Sequence, residues 1–435
     1  MKITFVGAGS TVFARNVIGD CILTPELGGF DVCLFDIDPK RLDESYQILS
    51  NMNKTANGKA HITQTLDRET AFRGADFVVN AIQVGLYDPC TITDFEVPKK
   101  YGLRQTIADT LGIGGIFRAL RTIPVMKSYA DDMERWCPNA LFLNYTNPMA
   151  MLSGYMQRFT NIKTVGLCHS VQGCAKGLLE ELGMNEYVDN CRWKIAGINH
   201  QAWLLELADL QGNDLYPEIK RRADDPAYNT ERKDLVRLKL MKEFGYYITE
   251  SSEHNAEYNP LFIKSRYPEM IEKYNIPLDE YPRRCVNQIE KWTQMRKDLV
   301  EKHDLTHERS KEYASHIMEA METNQPYKFG GNVLNTGLIP NLPAEAAVEV
   351  PCLVDKSGVQ PVYVGNLPPQ CAAMNRTNIN VQLLTVEAAL TGKKDYIYQA
   401  AMMDPHTASE LSIDDIVAMC DDLIETHGSW LPKYH

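Results

Sequence analysis

Short apolar runs alternate with stretches of helical spacing over the first 190 residues. Lys2–Gly9 is an apolar run that ends in glycines. Thr11–Thr24 has helical spacing and stops at Pro25. Asp31–Asp38 and His61–Leu66 read as strands on either side of a helix over 39–57. Asp76–Val84, Ala140–Thr146 and Lys163–Cys168 are further strands. Phe117–Arg135 reads as a helix that tolerates Pro124 as a kink or a first-turn residue. Strands separated by helical patterns form βαβ units, and strands this apolar are covered on both faces. The pattern predicts an α/β fold with a doubly wound, Rossmann-type parallel sheet in residues 1–190.

Beyond about residue 190 the pattern changes. Arg192–Ile198 and Ala202–Ala208 read as strands around a turn, and residues 229–325 are charged and mostly helical. Gly330–Ile339 and Val348–Val364 are strand-like, and 368–392 and 395–425 are helical. Residues 191–435 are therefore expected to form a second, α+β domain packed on the first.

Composition narrows the function. The 435-residue chain is 44% hydrophobic and 23% charged, ordinary for a globular protein. Its 45 basic and 57 acidic residues leave a net charge of −12, with no clustered basic stripe, which argues against nucleic acid or an anionic membrane surface as partner. The N-terminus enters a strand at once, without the basic and apolar regions of a signal peptide. No apolar run has the length of a membrane span. A cytoplasmic protein is expected, with its 11 cysteines as thiols, mostly core filler.

Gly7-Ala8-Gly9-Ser10 follows the first strand and opens a helix. Such a turn lets backbone N–H groups approach a pyrophosphate at a helix N-terminus. The usual third glycine is Val12 here, so the fingerprint is incomplete and could mark only a tight turn. Asp36 closes the second strand, where a carboxylate can bind a ribose 2′-hydroxyl and disfavour a 2′-phosphate; a solvated turn aspartate is the plainer reading. Within the βαβ frame the combination points to NAD rather than NADP.

Three segments put polar side chains at strand ends: Asn144 to Pro148, Gly166 to Ser170, and Gly197 to His200. Ligands of open α/β sheets bind beyond the carboxyl ends of the strands. Cys168 and His200, each unremarkable singly, could together give one thiolate and one imidazole to a borderline divalent metal and leave positions open for substrate oxygens. Other polar groups have plainer readings. Glu250, Glu253 and His254 make either a solvated helix start or a wall of the site. Arg118 and Arg121 read as helix-surface or cofactor-adjacent groups. Turn chemistry covers Asn332, Asn335 and Asn341, and the core or an interface covers Trp193, Trp203 and Trp292.

These residues sit in longer strings that carry a resemblance. They are FVGAGSTVFARN from residue 5, ALRTIP at 119–124, NYTNPMAM at 144–151, VGLCHSVQG at 165–173, AGINHQAW at 196–203, GYYITESSEHNAEY at 245–258, PLDEYPRRC at 277–285 and NTGLIPNLPAEAAVEVP at 335–351. Over nearly the whole chain the sequence resembles the NAD-dependent glycoside hydrolases of family 4, and within them the bacterial α-galactosidases. The resemblance implies a fold like lactate and malate dehydrogenases, NAD⁺ and Mn²⁺ as cofactors, an α-galactoside as substrate and a homodimer or homotetramer.

It also implies roles. Cys168 and His200 match the metal ligands, Asn147 a substrate-binding asparagine, and His169 the general acid. Arg284, or Arg283 beside it, matches a substrate-contacting arginine. Tyr246 and Tyr247 lie where several members have their base, in a stretch whose local motif differs. Members acting on 6-phosphosugars have aspartate at the place of His169, so His169 looks like the branch for unphosphorylated sugars. The implied reaction oxidises C3 of the sugar, removes the proton on C2, expels the aglycone, adds water and reverses, which sets it apart from glycosidases with paired carboxylates. Three rivals remain at this point: an α-galacturonidase or α-glucuronidase of the same family, a 2-hydroxy acid dehydrogenase, and a non-catalytic NAD-binding sensor.

Overall fold

The computed structural model describes residues 1–228, 233–301 and 304–435. Its centre is a sheet of twelve strands among the described residues. They are β1 (Lys2–Val6), β2 (Phe30–Phe35), β3 (Ala60–Thr65), β4 (Phe77–Asn80), β5 (Leu141–Asn144), β6 (Thr164–Leu167), β7 (Cys191–Ile198), β8 (Gln201–Asp209), β9 (Tyr247–Ile248), β10 (Tyr327–Leu334), β11 (Ala347–Asp355) and β12 (Gly358–Pro361). β1 to β6 are parallel and ordered β3-β2-β1-β4-β5-β6, the arrangement of doubly wound dinucleotide-binding domains.

The parallel strands are apolar because both faces are covered. Ile3, Phe5, Val32, Leu34, Phe77, Val79, Leu141 and Leu143 pack into one core, with the helices Thr11–Ile22 and Pro39–Thr55. Their neighbours Val6, Cys33, Phe35, Val78 and Phe142 enter another, with the helix Gly112–Trp136. The period-2 alternation of a strand thus separates two hydrophobic layers.

The second half does not form a separate sheet. β10 runs antiparallel to β6, pairing Gly331 with Leu167 and Asn332 with Gly166. β11 pairs along β10, β7 joins β11 at Gly197 opposite Glu349, and β8 and β9 follow. The expected strand over 348–364 is two elements, β11 and β12, folded back at 356–357. The helical stretch 395–425 is three helices, Lys394–Met403, Pro405–Glu410 and Ile413–His427. Part of the expected helical region, residues 229–232 and 302–303, lies outside the described residues.

The helix expected over 117–135 runs from Gly112 to Trp136 and contains Pro124. Arg118 and Arg121 on it are buried, so the surface reading of Arg121 does not hold. Its guanidinium meets Asp94 through two bonds of 3.1 and 2.6 Å and donates to the Val84 carbonyl. Trp203 is fully buried in the core.

Candidate active site

The β1 turn is shaped for close backbone approach. Gly7 has φ +85°, and a Cβ there would lie 2.7 Å from the Ala81 carbonyl oxygen, so only glycine fits. Ser10 leads into the helix Thr11–Ile22, whose first turn has no side-chain cap. That uncapped end opens into a cleft of about 360 Å³, lined by Ser10, Asn16, Gln83, Arg118, Asn147 and Gln288 among others. Gly9 donates to the Asp36 carboxylate at 2.6 Å, and Asp38 donates to the other oxygen at 2.9 Å. Asp36 therefore locks the glycine turn to the end of β2.

The other end of the cleft follows β5 and β6. Asn144 is buried and holds Thr146 and Asn80, which fixes the strand end that presents Asn147. Asn147 donates weakly to Asp109 at 3.5 Å, while its buried Oδ1 has no partner among the described residues. A buried oxygen left in this state favours a hydroxyl donor from a ligand.

Cys168 ends β6, and its backbone is clamped by Tyr313, whose hydroxyl accepts from the Cys168 N–H at 2.7 Å and donates to the Cys168 carbonyl at 3.1 Å. Its Sγ is 3.1 Å from the Ser170 hydroxyl. His200 sits in the two-residue turn between β7 and β8, and Glu250 follows β9. One donor atom from each of Cys168, His200 and Glu250 lies within 4.8 Å of the others. Both His200 (φ +64°) and Glu250 (φ +63°) adopt left-handed backbone, which costs each of them roughly 1 kcal/mol or more. Two strained residues meeting at one cluster point to a site selected for what it binds.

The electrostatics fit a cation. Burial, then the carboxylates of Glu349 and Glu250, push the Cys168 thiol far above its usual range, so a thiolate there needs a positive partner. Burial pushes His200 down, which favours the neutral imidazole of a ligand. Its Nδ1 is 3.1 Å from the Tyr258 hydroxyl, which directs Nε2 toward Glu250, 3.4 Å away. Burial opposes ionisation of Glu250, yet the imidazoles of His200 and His254 hold its carboxyl down at about 2. Burial likewise opposes protonation of His254, but Glu250 and Asp109 raise it to about 9. His254 thus lies as an imidazolium 3.4 Å from Glu250 and 3.7 Å from Asp109. Sulfur, nitrogen and oxygen donors together suit a borderline divalent ion.

His169, next in sequence to the thiol, begins the helix His169–Glu181 and is half exposed. Its Nε2 is 2.7 Å from the buried carboxylate of Glu312. Burial would lower the imidazole; Glu312 outweighs it and the net shift is upward. Tyr145, on the cleft wall, stands 6.1 Å from it, ring to ring.

The structure does not bring the two tyrosines to this cluster. Tyr247 is fully buried under the Arg237 guanidinium and spends its hydroxyl on Asp234. Tyr246 lines a different groove with Arg192, Glu206 and Lys220. Arg284 is partly exposed and engaged by Glu280 and Glu253. Of the trio 250, 253 and 254, Glu250 and His254 are turned toward the cluster rather than to solvent, while Glu253 pairs with Arg284. Asp109, Tyr258, Glu257 and Glu312 were not singled out from sequence. Glu250, His254, Glu257 and Tyr258 recur at helical spacing, a signal for one buried face. Asp109 and Glu312 lie in segments without periodicity and left none. Asn335 is the expected turn residue, donating to three carbonyls, whereas Asn332 is in the core against Glu349.

The model of family 4 glycosyl hydrolases matches residues 2–184, and that of the family's C-terminal domain matches residues 195–407. The chain belongs to glycosyl hydrolase family 4. It is 62% identical to an α-galactosidase of Bacillus subtilis over 433 residues, covering 100% of this chain and 99% of the relative. Among solved structures, the 6-phospho-β-glucosidase of Thermotoga maritima, determined with manganese, NAD⁺ and glucose-6-phosphate, superposes with a TM-score of 0.81 at 18% identity and covers 100% of both chains. A malate dehydrogenase of Plasmodium falciparum shares the fold with a TM-score of 0.54 at 15% identity, covering 91% of this chain and 99% of its own. The dehydrogenase-like fold expected from the sequence is the fold observed. Membership of a hydrolase family and the thiol–imidazole–carboxylate cluster set aside the plain dehydrogenase and the non-catalytic sensor.

Proposed function

We propose that the protein is an α-galactosidase that works with NAD⁺ and Mn²⁺. The observation that carries this reading is the meeting of Cys168, His200 and Glu250 beside a cleft that joins the uncapped helix after Gly7–Gly9 to Asn147. The high identity to an α-galactosidase supports the substrate, and His169 in place of an aspartate supports an unphosphorylated sugar.

Bound at these sites, Mn²⁺ would supply a Lewis acid for sugar oxygens and NAD⁺ a hydride acceptor that is restored in each turnover. Cys168, His200 and Glu250 hold the metal. Gly7, Gly9, Ser10 and the first turn of Thr11–Ile22 cradle the dinucleotide, with Asp36 at its ribose. Asn147 accepts a sugar hydroxyl through its unpaired Oδ1. His169, oriented by Glu312, holds a proton on its imidazole for the departing aglycone oxygen. Tyr246 and Tyr247 have no role in this arrangement, because neither hydroxyl is directed at the cluster. Residues 1–190 serve as the nucleotide unit, while 191–435 add His200, Glu250 and the substrate wall. No helix among the described residues is long and apolar enough to cross a membrane. A cytoplasmic homodimer or homotetramer acting on small galactosides fits the composition and the family.

The substrate assignment is tested by hydrolysis of 4-nitrophenyl α-galactoside, 4-nitrophenyl β-galactoside and 4-nitrophenyl α-galacturonide with NAD⁺ and Mn²⁺ present. The α-galactoside is expected to be the best of the three. Turnover of the galacturonide alone would overturn it.

A further inference from the structure

One buried carboxyl beside the metal cluster has no part in the chemistry so far. Glu349 lies in β11 with 1% of its surface exposed. No cation pairs with it among the described residues; its hydrogen bonds come from two amides. Asn332, in β10, donates to its Oε1 at 2.8 Å. Asn199, just after β7, donates more weakly to the same oxygen at 3.4 Å. Glu349 Oε2 is buried without a partner, and so are the Oδ1 atoms of Asn199 and Asn332. Buried polar groups left in this state are rare, and a carboxyl without a cation is costly to bury. Its place in the sheet therefore calls for a role.

The register shows what this carboxyl joins. Gly166 of β6 stands opposite Asn332, Asn332 opposite Glu349, and Glu349 opposite Gly197 of β7. Residues opposite one another in a sheet share a face. A Cβ on Gly166 would lie 2.8 Å from the Asn332 Cβ, so the glycine leaves room for the amide. The Asn332 amide also donates to the Gly166 carbonyl at 3.4 Å. Cys168 follows Gly166 by two residues, and His200 follows Asn199 directly. One carboxyl oxygen thus links the strand end that bears the thiol to the turn that bears the imidazole, across β10 and β11.

His200 needs such a hold. Its left-handed backbone, φ +64°, persists only where the surroundings fix it. Metal ligands in turn depend on the groups behind them for their orientation. Glu349 is not among the three clustered donors.

We infer that Glu349 is a positioning residue of the metal centre: through Asn332 and Asn199 it holds Cys168 and His200 in register for one ion. This role rests on the metal reading of Cys168, His200 and Glu250, and adds what keeps two of them together.

The test measures Mn²⁺ affinity by electron paramagnetic resonance, and NAD⁺ binding by calorimetry, on the full-length protein and the variants Glu349→Gln, Glu349→Leu and Asn199→Ala. Glutamine keeps the accepting oxygen and brings a donor to the unpartnered acceptors; leucine removes the link. Glu349→Leu should weaken Mn²⁺ binding by roughly tenfold to a hundredfold, the range for groups that support a metal's ligands. Asn199→Ala should weaken it too, and Glu349→Gln much less, with NAD⁺ binding unchanged in all three. With Co²⁺ in place of Mn²⁺, the sulfur-to-metal charge-transfer absorption should fade in Glu349→Leu and persist in Glu349→Gln. Equal losses in the glutamine and leucine variants, or a parallel loss of NAD⁺ binding, overturn the positioning role. If Glu349→Leu does not fold, Asn199→Ala decides, and unchanged Mn²⁺ affinity there overturns it. A parent that binds no Mn²⁺ overturns the metal reading and this role with it; a parent that binds, with Glu349→Leu binding equally well, overturns this role alone.

Discussion

Cys168 is a poor thiolate until a cation arrives, because burial and two carboxylates oppose its ionisation. Cys168→Ser should weaken Mn²⁺ binding by well over tenfold, and Glu250→Gln should weaken it by roughly tenfold to a hundredfold, the range seen when a metal's supporting groups are removed. Electron paramagnetic resonance of free Mn²⁺ measures both; unchanged affinity in Glu250→Gln would remove Glu250 from the donor set. Glu312 acts through His169. Glu312→Gln should lower kcat by roughly tenfold or more on melibiose, whose leaving group needs a proton, and much less on 4-nitrophenyl α-galactoside, whose leaving group does not. Equal losses on both would show that Glu312 only supports the fold. Sequence exposed Cys168, His169 and His200 because polar residues at the ends of apolar strands stand out. It did not expose Glu312, which reaches His169 from 143 residues away across a segment with no pattern. Tyr247 misled for a related reason: in a two-residue strand, which face a side chain takes is set by pairing with Trp203 and Leu204, and the sequence carries no register for that.

At the scale of elements, the segment 304–313 is fastened to the helix Thr11–Ile22 through Asp20. That buried carboxylate meets His307 at 2.7 Å, the Ser310 N–H at 2.8 Å and the Ser310 hydroxyl at 2.6 Å. The same segment delivers Glu312 to His169 and Tyr313 to Cys168, so a fastening on one helix positions two groups of the site. Burial opposes ionisation of Asp20, but the bonds from His307 and Ser310 prevail and its pKa is lowered. A carboxyl with a folded pKa below its unfolded value adds stability above about pH 4, and that stability fades as pH falls through the folded value. Asp20→Asn should therefore cost about 2 kcal/mol near pH 7, and the gap to the parent should narrow below pH 4. Urea unfolding at both pH values reads it; a gap that widens in acid would reverse the assignment. Helices and parallel strands were legible here because periodicity follows burial. The surface reading of Arg121 failed because the helix Gly112–Trp136 is covered on several sides, and its guanidinium is matched to Asp94, a partner 27 residues away that no periodicity marks.

For the whole molecule, the two halves share one sheet through β6, β10, β11 and β7. The change of pattern near residue 190 is visible in sequence as the end of the βαβ units. The joining strand β10 is not, since it comes from residues 327–334 and enters antiparallel beside β6. A shared sheet predicts that the halves lose structure together. Calorimetry at low scan rate should show one cooperative transition, raised by NAD⁺ and Mn²⁺ through mass action; two separated transitions would mean that the halves unfold independently. The site depends on the same continuity, because Cys168 comes from the parallel half while His200 and Glu250 come from the other.

The central claim is that this assembled cluster and cleft hydrolyse an α-galactoside by a cofactor-dependent route. Its most direct test is hydrolysis of 4-nitrophenyl α-galactoside by metal-stripped, nucleotide-free enzyme under reducing conditions, with NAD⁺ and Mn²⁺ added singly and together. The account predicts activity only when both are present, with no net accumulation of NADH. Full activity without NAD⁺ would contradict it.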